Sequence, residues 1–316
     1  MSWDYYLKGD YVIKVKVKKH RIFFWILLLI PLLYFIIFRL VVIPYGIYIS
    51  FTNRALIGPQ AREWSFVGLE NYIKILKDPS FYAAIRNSFI YAVICGLIGQ
   101  LWLGLFLGQL IWHGKISGGF KERVTTLIYA LAILTWIMPE TIAGIEMRAM
   151  FGRRGLINKL LEALGIGGVD WLNLYNTWLG IPVILWMLIL ANIWKGCSFS
   201  MALTLAAMEG IPREIYDAAK IDGVNVIQEF FYITLPLLKN LLPFMVIVLF
   251  TGSFSHFTFL WIILGGGAGV WKEANIAIYS YVVAFINYQV GYGAAISVIT
   301  MAIYIILGVL SLKVRG

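Results

Sequence analysis

Apolar runs of membrane-spanning length recur through this chain, and they leave very few folds open. The first, from Ile22 to beyond Phe38, carries no charged residue before Arg39. About 20 apolar residues suffice to cross a bilayer as a helix. Further runs cover about Ser88–Trp112, Val124–Met147, Asn176 up to a polar stretch at Met208, Leu241–Leu264 and Gly291–Leu312. They lack the alternation of a membrane β-barrel. In lipid every backbone polar group needs a partner within the protein, so helices remain. Composition agrees: 61% of residues are hydrophobic and 13% charged, with mean hydropathy +0.83, far from the balance of a soluble domain. The expected fold is an all-α membrane protein with six transmembrane helices. Residues 22–316 form one membrane domain, preceded by a basic segment at 1–21 and containing a polar loop at 208–239. The run at Ile22 is too long for a signal-peptide core, and no small-residue cleavage site follows it, so it reads as the first span.

The net charge of +10 is distributed as loops of a membrane protein require, and nucleic acid is not an expected partner. Lys8, Lys14, Lys16, Lys18, Lys19 and Arg21 cluster before the first span. With the N-terminus in the cytoplasm, the inner segments hold 14 Lys and Arg in 68 residues, the outer ones 10 in 97. That bias follows the positive-inside rule and favours anionic lipid at the inner surface. Cys95 and Cys197 fall inside apolar runs and read as core residues. His20, His113 and His256 are too scattered for a metal site. No Gly-x-x-x-x-Gly-Lys-Ser/Thr motif occurs, so this chain is not expected to bind nucleotide, and no catalytic constellation is present. Gly104 and Gly108 form a small-xxx-small pair suited to close helix packing.

The stretch from Met208 to Asn240 reads MEGIPREIYDAAKIDGVNVIQEFFYITLPLLKN. Pro212 suits the first position of a helix, on which Ile215, Ala218 and Ala219 share a face. Gly223 ends it by adopting a left-handed conformation. Asn225 with Gln228 three residues on forms a capping box for a second helix. Ile227, Phe230 and Phe231 give that helix its apolar face, and Leu235-Pro236 ends it. Two short helices thus meet at a glycine corner. Glu214 and Asp217 on the first suit a helix N-terminus and also a basic partner surface.

Asp217-Ala218-Ala219, Gly223, Ile233 and Leu235-Pro236 resemble the motif of membrane subunits of ATP-binding-cassette importers. That motif is Glu-Ala-Ala, three residues, Gly, nine residues, Ile, one residue, Leu-Pro. Every spacing agrees, and the one departure is Asp217 for Glu. Phe66-Val67-Gly68-Leu69-Glu70-Asn71-Tyr72, then Asp78, Phe81 and Asn87, and Gly155-Leu156-Ile157-Asn158 resemble the carbohydrate branch. Gly265-Gly266-Gly267 stands where that branch has Gly-Gly-Pro. The resemblance implies a cytoplasmic coupling loop that docks into the ATPase, with Glu214, Asp217, Ala218, Ala219, Gly223, Ile233, Leu235 and Pro236 as coupling residues. It implies two ATPase subunits, which use ATP and Mg, and an extracytoplasmic solute-binding protein. A second homologous permease completes the pair, expected to be a different chain. The location is the cytoplasmic membrane of a prokaryote.

Polar residues inside spans mark functional sites by default. Asn192, Lys195 and Phe199 fall on one face of the fourth span. Aligned through the coupling motif, Asn192, Gly196 and Phe199 match sugar-contacting positions of the maltose-type permease, and Gly252, Ser253 and His256 lie at comparable places on the fifth span. The structural alternatives are that Lys195 snorkels and that Asn192 and His256 bond neighbouring helices. The expected substrate is a saccharide. Lys195, with Arg148, Arg153 and Arg154 at the outer mouth, favours an acidic one such as a uronate oligomer; Glu140 and Glu146 are the nearest acidic side chains. A sugar-phosphate permease, an ion-coupled secondary transporter and a membrane scaffold are the alternatives. Neither of the last two needs a docking loop.

Overall fold

The computed structural model describes residues 5–8, 11–14, 17–267 and 270–314, so Lys16 and Arg315 of the basic segments lie outside the described residues. Strands β1 (Tyr5–Lys8) and β2 (Tyr11–Lys14) form an antiparallel hairpin. Helix α1 (Val17–Phe35) runs straight through Pro31 into a π-helical stretch, Ile36–Val41, and on into α2 (Val42–Ser50). The first span therefore ends at Ser50, later than the apolar pattern suggested, because Tyr45-Gly46-Ile47-Tyr48-Ile49 carries no charge to stop it. After α3 (Glu70–Leu76), the second span begins at Pro79 rather than Ser88. It comprises α4 (Pro79–Tyr91), a π-helical stretch Ala92–Leu101, and α5 (Trp102–Ser117). Asp78 explains the early start, since its carboxylate accepts from the Ser80 amide at 2.9 Å and caps the helix.

The third span is broken. Helix α6 (Gly119–Ile137) stops at Met138-Pro139, and α7 (Glu140–Met150) leaves at 103°. Helix α8 (Leu156–Ala163) and a small hairpin of β3 (Thr177–Trp178) and β4 (Ile181–Pro182) follow. The hairpin displaces the start of the fourth span from Asn176 to Val183, giving α9 (Val183–Glu209). Helices α10 (Arg213–Ile221), α11 (Val226–Glu229) and α12 (Leu235–Leu237) make the polar loop. The fifth span is α13 (Leu242–Phe254) and α14 (Thr258–Ile263), and α15 (Ile276–Tyr281) precedes the last span, α16 (Val290–Val314). Among the described residues, five helices are long and apolar enough to cross a membrane, and the bent pair makes a sixth.

Helix α9 lies along α5 and is the centre of the bundle. Its approach is set by glycine. A Cβ on Gly104 would stand 2.2 Å from Ser200 Cβ and 2.7 Å from the Cys197 carbonyl oxygen, and one on Gly108 would stand 2.6 Å from Thr204 Cβ. The small-residue pair thus packs as its spacing indicated. The triple glycine has positive φ at each position, +77° at Gly267. Proline, held near −65°, is therefore excluded there, which accounts for the departure from the branch pattern.

The end of the bundle at which the first span finishes is tied together by residues from both halves of the chain. Asn71 donates to the carbonyls of Ser50 and Thr52, both at 2.8 Å. The Leu56 amide donates to Tyr288, and the Gly291 amide to Arg54, both at 2.9 Å. Asn87 donates to the Glu273 carbonyl at 2.8 Å. Tyr279 and Tyr292 donate their hydroxyls to Asp78, the latter at 2.7 Å. Burial pushes the Asp78 carboxyl up. The two hydroxyls and the Ser80 and Phe81 amides outweigh it and hold it below the usual carboxylate range.

Gly104→Ala is expected to force α5 from α9 and cost about 1–3 kcal/mol, read as a lower melting temperature in detergent. Gly46→Ala, with nothing within 4 Å, should leave it unchanged. A second measurement addresses Asp78. Because its folded pKa lies below its unfolded value of about 3.9, its contribution is present above that value and is lost as pH falls through the folded pKa. Asp78→Asn should lower stability by about 1–2 kcal/mol at neutral pH and flatten the decline in melting temperature that the wild type shows below about pH 4.

Candidate functional site: a cavity among the spans and a polar corner

Two breaks in the spans open a cavity of about 340 Å³ against α9. The first is at Met138-Pro139, where both residues take extended ψ angles of 129° and 134°. Proline cannot continue the helix, and the turn places Glu140 at the start of α7, lining the cavity. The second lies at Ser255–Phe257, between α13 and α14, and exposes peptide groups that lipid would not satisfy. Asn275 donates to the His256 carbonyl at 2.7 Å, and the Tyr304 hydroxyl donates to the Thr251 carbonyl at 3.2 Å. The unwound backbone thereby holds His256 at the cavity wall.

All seven residues singled out on the fourth and fifth spans, Asn192, Lys195, Gly196, Phe199, Gly252, Ser253 and His256, line this one cavity. Gln100, Trp136, Glu140, Val248 and Leu249 complete it. Gln100 packs into the space that the missing Cβ of Gly196 leaves, 2.3 Å from where that atom would be. Its amide donates to the Asn192 carbonyl at 2.9 Å. Lys195 donates to the Trp136 carbonyl at 3.3 Å. His256 Nε2 lies 3.1 Å from Glu140 Oε1. The Trp136 and Phe199 rings stand 5.5 Å apart at 35°. The wall thus offers amide and hydroxyl groups, one ammonium, one carboxylate engaged by imidazole, and two aromatic planes. Glu146 is exposed and away from it. Gln100 and Trp136 were not picked out from the sequence. The rule that flags polar residues inside spans applies to Gln100 as much as to Asn192, whereas Trp136 gives no such signal.

At the other end of α9 the polar loop folds into the expected corner, with corrections. Pro212 is the residue before α10 and does not lie within it. Gly223 turns with φ +75°, and the Asn225–Gln228 capping box is present in both directions, at 2.9 and 3.0 Å. The shared face of Ile215, Ala218 and Ala219 is divided: Ala219 is buried beside Tyr216, while Ile215 and Ala218 are exposed with Glu214 and Asp217. Asp217 pairs with Lys220 at 3.4 Å. On the second limb Phe230 is buried, but Ile227 and Phe231 are exposed. Leu235-Pro236 does not end the helix. Phe230–Thr234 is π-helical and the chain stays helical to Leu237. The wider turn moves the carbonyl four residues back clear of the proline ring. Ile233 is half-buried and Pro236 exposed.

Both limbs are anchored on α5. Tyr216 packs its ring 5.9 Å from that of Trp112. Glu229 is almost wholly buried, with Gln109 Nε2 at 3.2 Å and His113 Nε2 at 2.8 Å. Glu229, Tyr216 and their partners carry no motif signal, because the contact joins residues more than a hundred positions apart. No group of acidic, histidine or cysteine residues suited to a metal occurs among the described residues.

A family model described as "Binding-protein-dependent transport system inner membrane component" matches residues 100–316. The chain is 29% identical to the probable ABC transporter permease protein YurN of Bacillus subtilis, over 91% of this chain and 94% of that one. It is 31% identical to the arabinooligosaccharides transport system permease protein AraP of Halalkalibacterium halodurans, over 80% of this chain and 77% of that one. The crystal structure of a bacterial ABC transporter involved in the import of the acidic polysaccharide alginate contains a similar chain. It matches with a TM-score of 0.73 and 18% identity, covering 95% of this chain and 98% of that one. At that identity the likeness establishes the fold.

A Cβ added at Gly223 would meet nothing within 4 Å, so backbone strain alone decides substitutions there. Gly223→Val is expected to reduce transport by about tenfold or more while membrane insertion persists, and Gly223→Asn, which tolerates positive φ, to retain most of it. Uptake and membrane abundance of the two variants, measured side by side, check this.

Proposed function

Since the chain belongs to the family of binding-protein-dependent transport system inner membrane components, we propose that it is the permease subunit of an ATP-driven importer that carries a saccharide across the cytoplasmic membrane of a prokaryote. The chain is a transport component and not an enzyme. It spans the membrane several times, with its N-terminus on the cytoplasmic side. Its partners are two ATPase subunits, which use ATP and Mg, a second homologous permease of different sequence, and an extracytoplasmic solute-binding protein. The loop from Met208 to Lys239 docks on the ATPase through its exposed face, with Glu214, Asp217 and Ala218 meeting the ATPase surface and Gly223 fixing the corner. Ala219, Ile233 and Leu235 support that face from behind, and Pro236 lies exposed beyond them.

The observation that carries the saccharide reading is the cavity wall. Sugar recognition needs a few placed amide or hydroxyl groups and an apolar plane. Asn192, Ser253 and the Trp136–Phe199 pair provide both around one space. The names of relatives, for arabino-oligosaccharides and for alginate, support the same class. The finer reading is an acidic oligosaccharide of the uronate type. Glu140 is engaged by His256, and the hydrogen bond described for the Lys195 ammonium goes to a neutral carbonyl. Glu140 shares the cavity and its charge acts on Lys195; a substrate carboxylate would add a direct charge-assisted bond to that ammonium, and such bonds are the strong ones.

The test is uptake by the complex purified with its accompanying subunits, comparing uronate oligomers with neutral arabino-oligosaccharides. Acidic-sugar uptake should fall about tenfold in Lys195→Met, with neutral uptake unchanged. Equal uptake of uronates by the variant removes the acidic reading. Absence of an ATPase from the wild-type complex removes the importer reading.

A further inference from the structure

Helix α5 reaches two places that the function needs at once. Just before its start, Gln100 sits in the cavity wall, bonded to the Asn192 carbonyl. Further on, Gln109 and His113 grip Glu229 of the second limb of the corner. Thirteen residues of helix separate Gln100 from His113, about 20 Å at 1.5 Å per residue. Along that length α5 is locked to α9 through Gly104 and Gly108. Helix α9 carries Asn192 and Lys195 at the cavity and runs at its lower end into the first limb, α10. The first limb is thus joined covalently to α9 and rests on α5 through Tyr216 and Trp112. The second limb has no such covalent tie to the pair.

It packs Phe230 against Trp102 and Phe106, and its polar tie is the Glu229 carboxylate. Gln109 Nε2 also donates to the Val226 carbonyl at 3.2 Å, so one amide holds both the side chain and the backbone of the limb. Glu229 is 2% exposed in a loop whose other acidic residues, Glu209, Glu214, Asp217 and Asp222, are all exposed. A carboxylate is costly to bury unless its partners satisfy it. An apolar residue would fill the place more cheaply if packing alone were needed. What the carboxylate adds is a directional bond from Gln109 Nε2, with the His113 imidazole, one turn on along α5, in close contact at 2.8 Å.

We propose that Glu229 is a positioning residue, the joint that makes both limbs of the corner move as one body with the helix pair carrying the cavity wall. The inference rests on the importer reading and adds a residue that the coupling motif does not include. Displacement of the corner at the ATPase then reaches Gln100, Asn192 and Lys195 without loss. With the joint cut, the first limb still follows α9, while the second yields.

Two measurements on the intact transporter test this. First, Glu229→Ala should still assemble and hydrolyse ATP within about twofold of wild type. Its saccharide uptake should fall about tenfold, within the range of ordinary coupling energies. Glu229→Gln keeps an acceptor oxygen for Gln109 and should restore uptake to within about twofold of wild type. Equal uptake by Glu229→Ala and wild type overturns the proposal. Second, spin labels at Leu103→Cys on α5 and Ile227→Cys on the second limb, both exposed positions, report their separation in otherwise wild-type protein. The natural cysteines are buried. The distance should stay the same with and without ATP. A shift on adding ATP overturns the proposal even where Glu229→Ala fails to fold. Loss of ATP-dependent uptake by the unlabelled wild type, with that distance invariant, would count against the importer reading and leave the joint standing.

Discussion

Along the seam between α5 and α9 the two backbones approach so closely that a methyl group on Gly104 would lie 2.2 Å from Ser200 Cβ. In lipid there is no hydrophobic drive to bring helices together, because the tails are as apolar as the side chains. Association has to come from dispersion at short range and from the occasional polar contact. The seam supplies both. Glycine lets the helices touch over several turns, and Gln100, lodged at Gly196, bonds a carbonyl of the facing helix. The positions of Asn192 and Lys195 relative to the second span follow from that fit, as does the point at which α9 delivers the chain to the polar corner.

Against this seam, the breaks at Met138-Pro139 and Ser255–Phe257 are where the bundle departs from regular helix. Irregular backbone at membrane depth is tolerated only where protein or a cavity meets it. Both breaks border the same cavity, and Asn275 and Tyr304 bond carbonyls at the second. The cavity and the breaks are therefore one feature: the space allows the unwinding, and the unwinding places His256 and Glu140 at the wall.

What the sequence disclosed and what it withheld divide along physical lines. The corner was legible because its determinants are local. A glycine at positive φ and an Asn–Gln capping box act within a few residues, and both occur as read. The six apolar runs and the seven cavity residues on α9, α13 and the break after it were likewise open to a rule about polar groups in lipid. Helix ends were less legible where charge did not mark them: Tyr45–Ile49 continues the first span, and Asp78 starts the second well before the apolar run does. The passage of the helix through Pro236 was hidden because it depends on a π turn, which periodicity does not announce. Which face of α10 is buried, and the burial of Glu229, depend on α5, a hundred residues earlier. No reading of the loop by itself could place them.

The ties between the end of the first span and the start of the last bear on how such a chain is made. Leu56 and Arg54, just past the first span, find backbone partners at Tyr288 and Gly291, where the last span begins. Synthesis runs from the N-terminus, so for most of the time the ribosome spends on this protein those peptide groups have no native partner. That rim of the bundle closes only once the final span has been threaded. A polypeptide released before Tyr288 would keep most of its apolar helices yet present an open polar edge near the first of them. That edge distinguishes a finished subunit from an unfinished one.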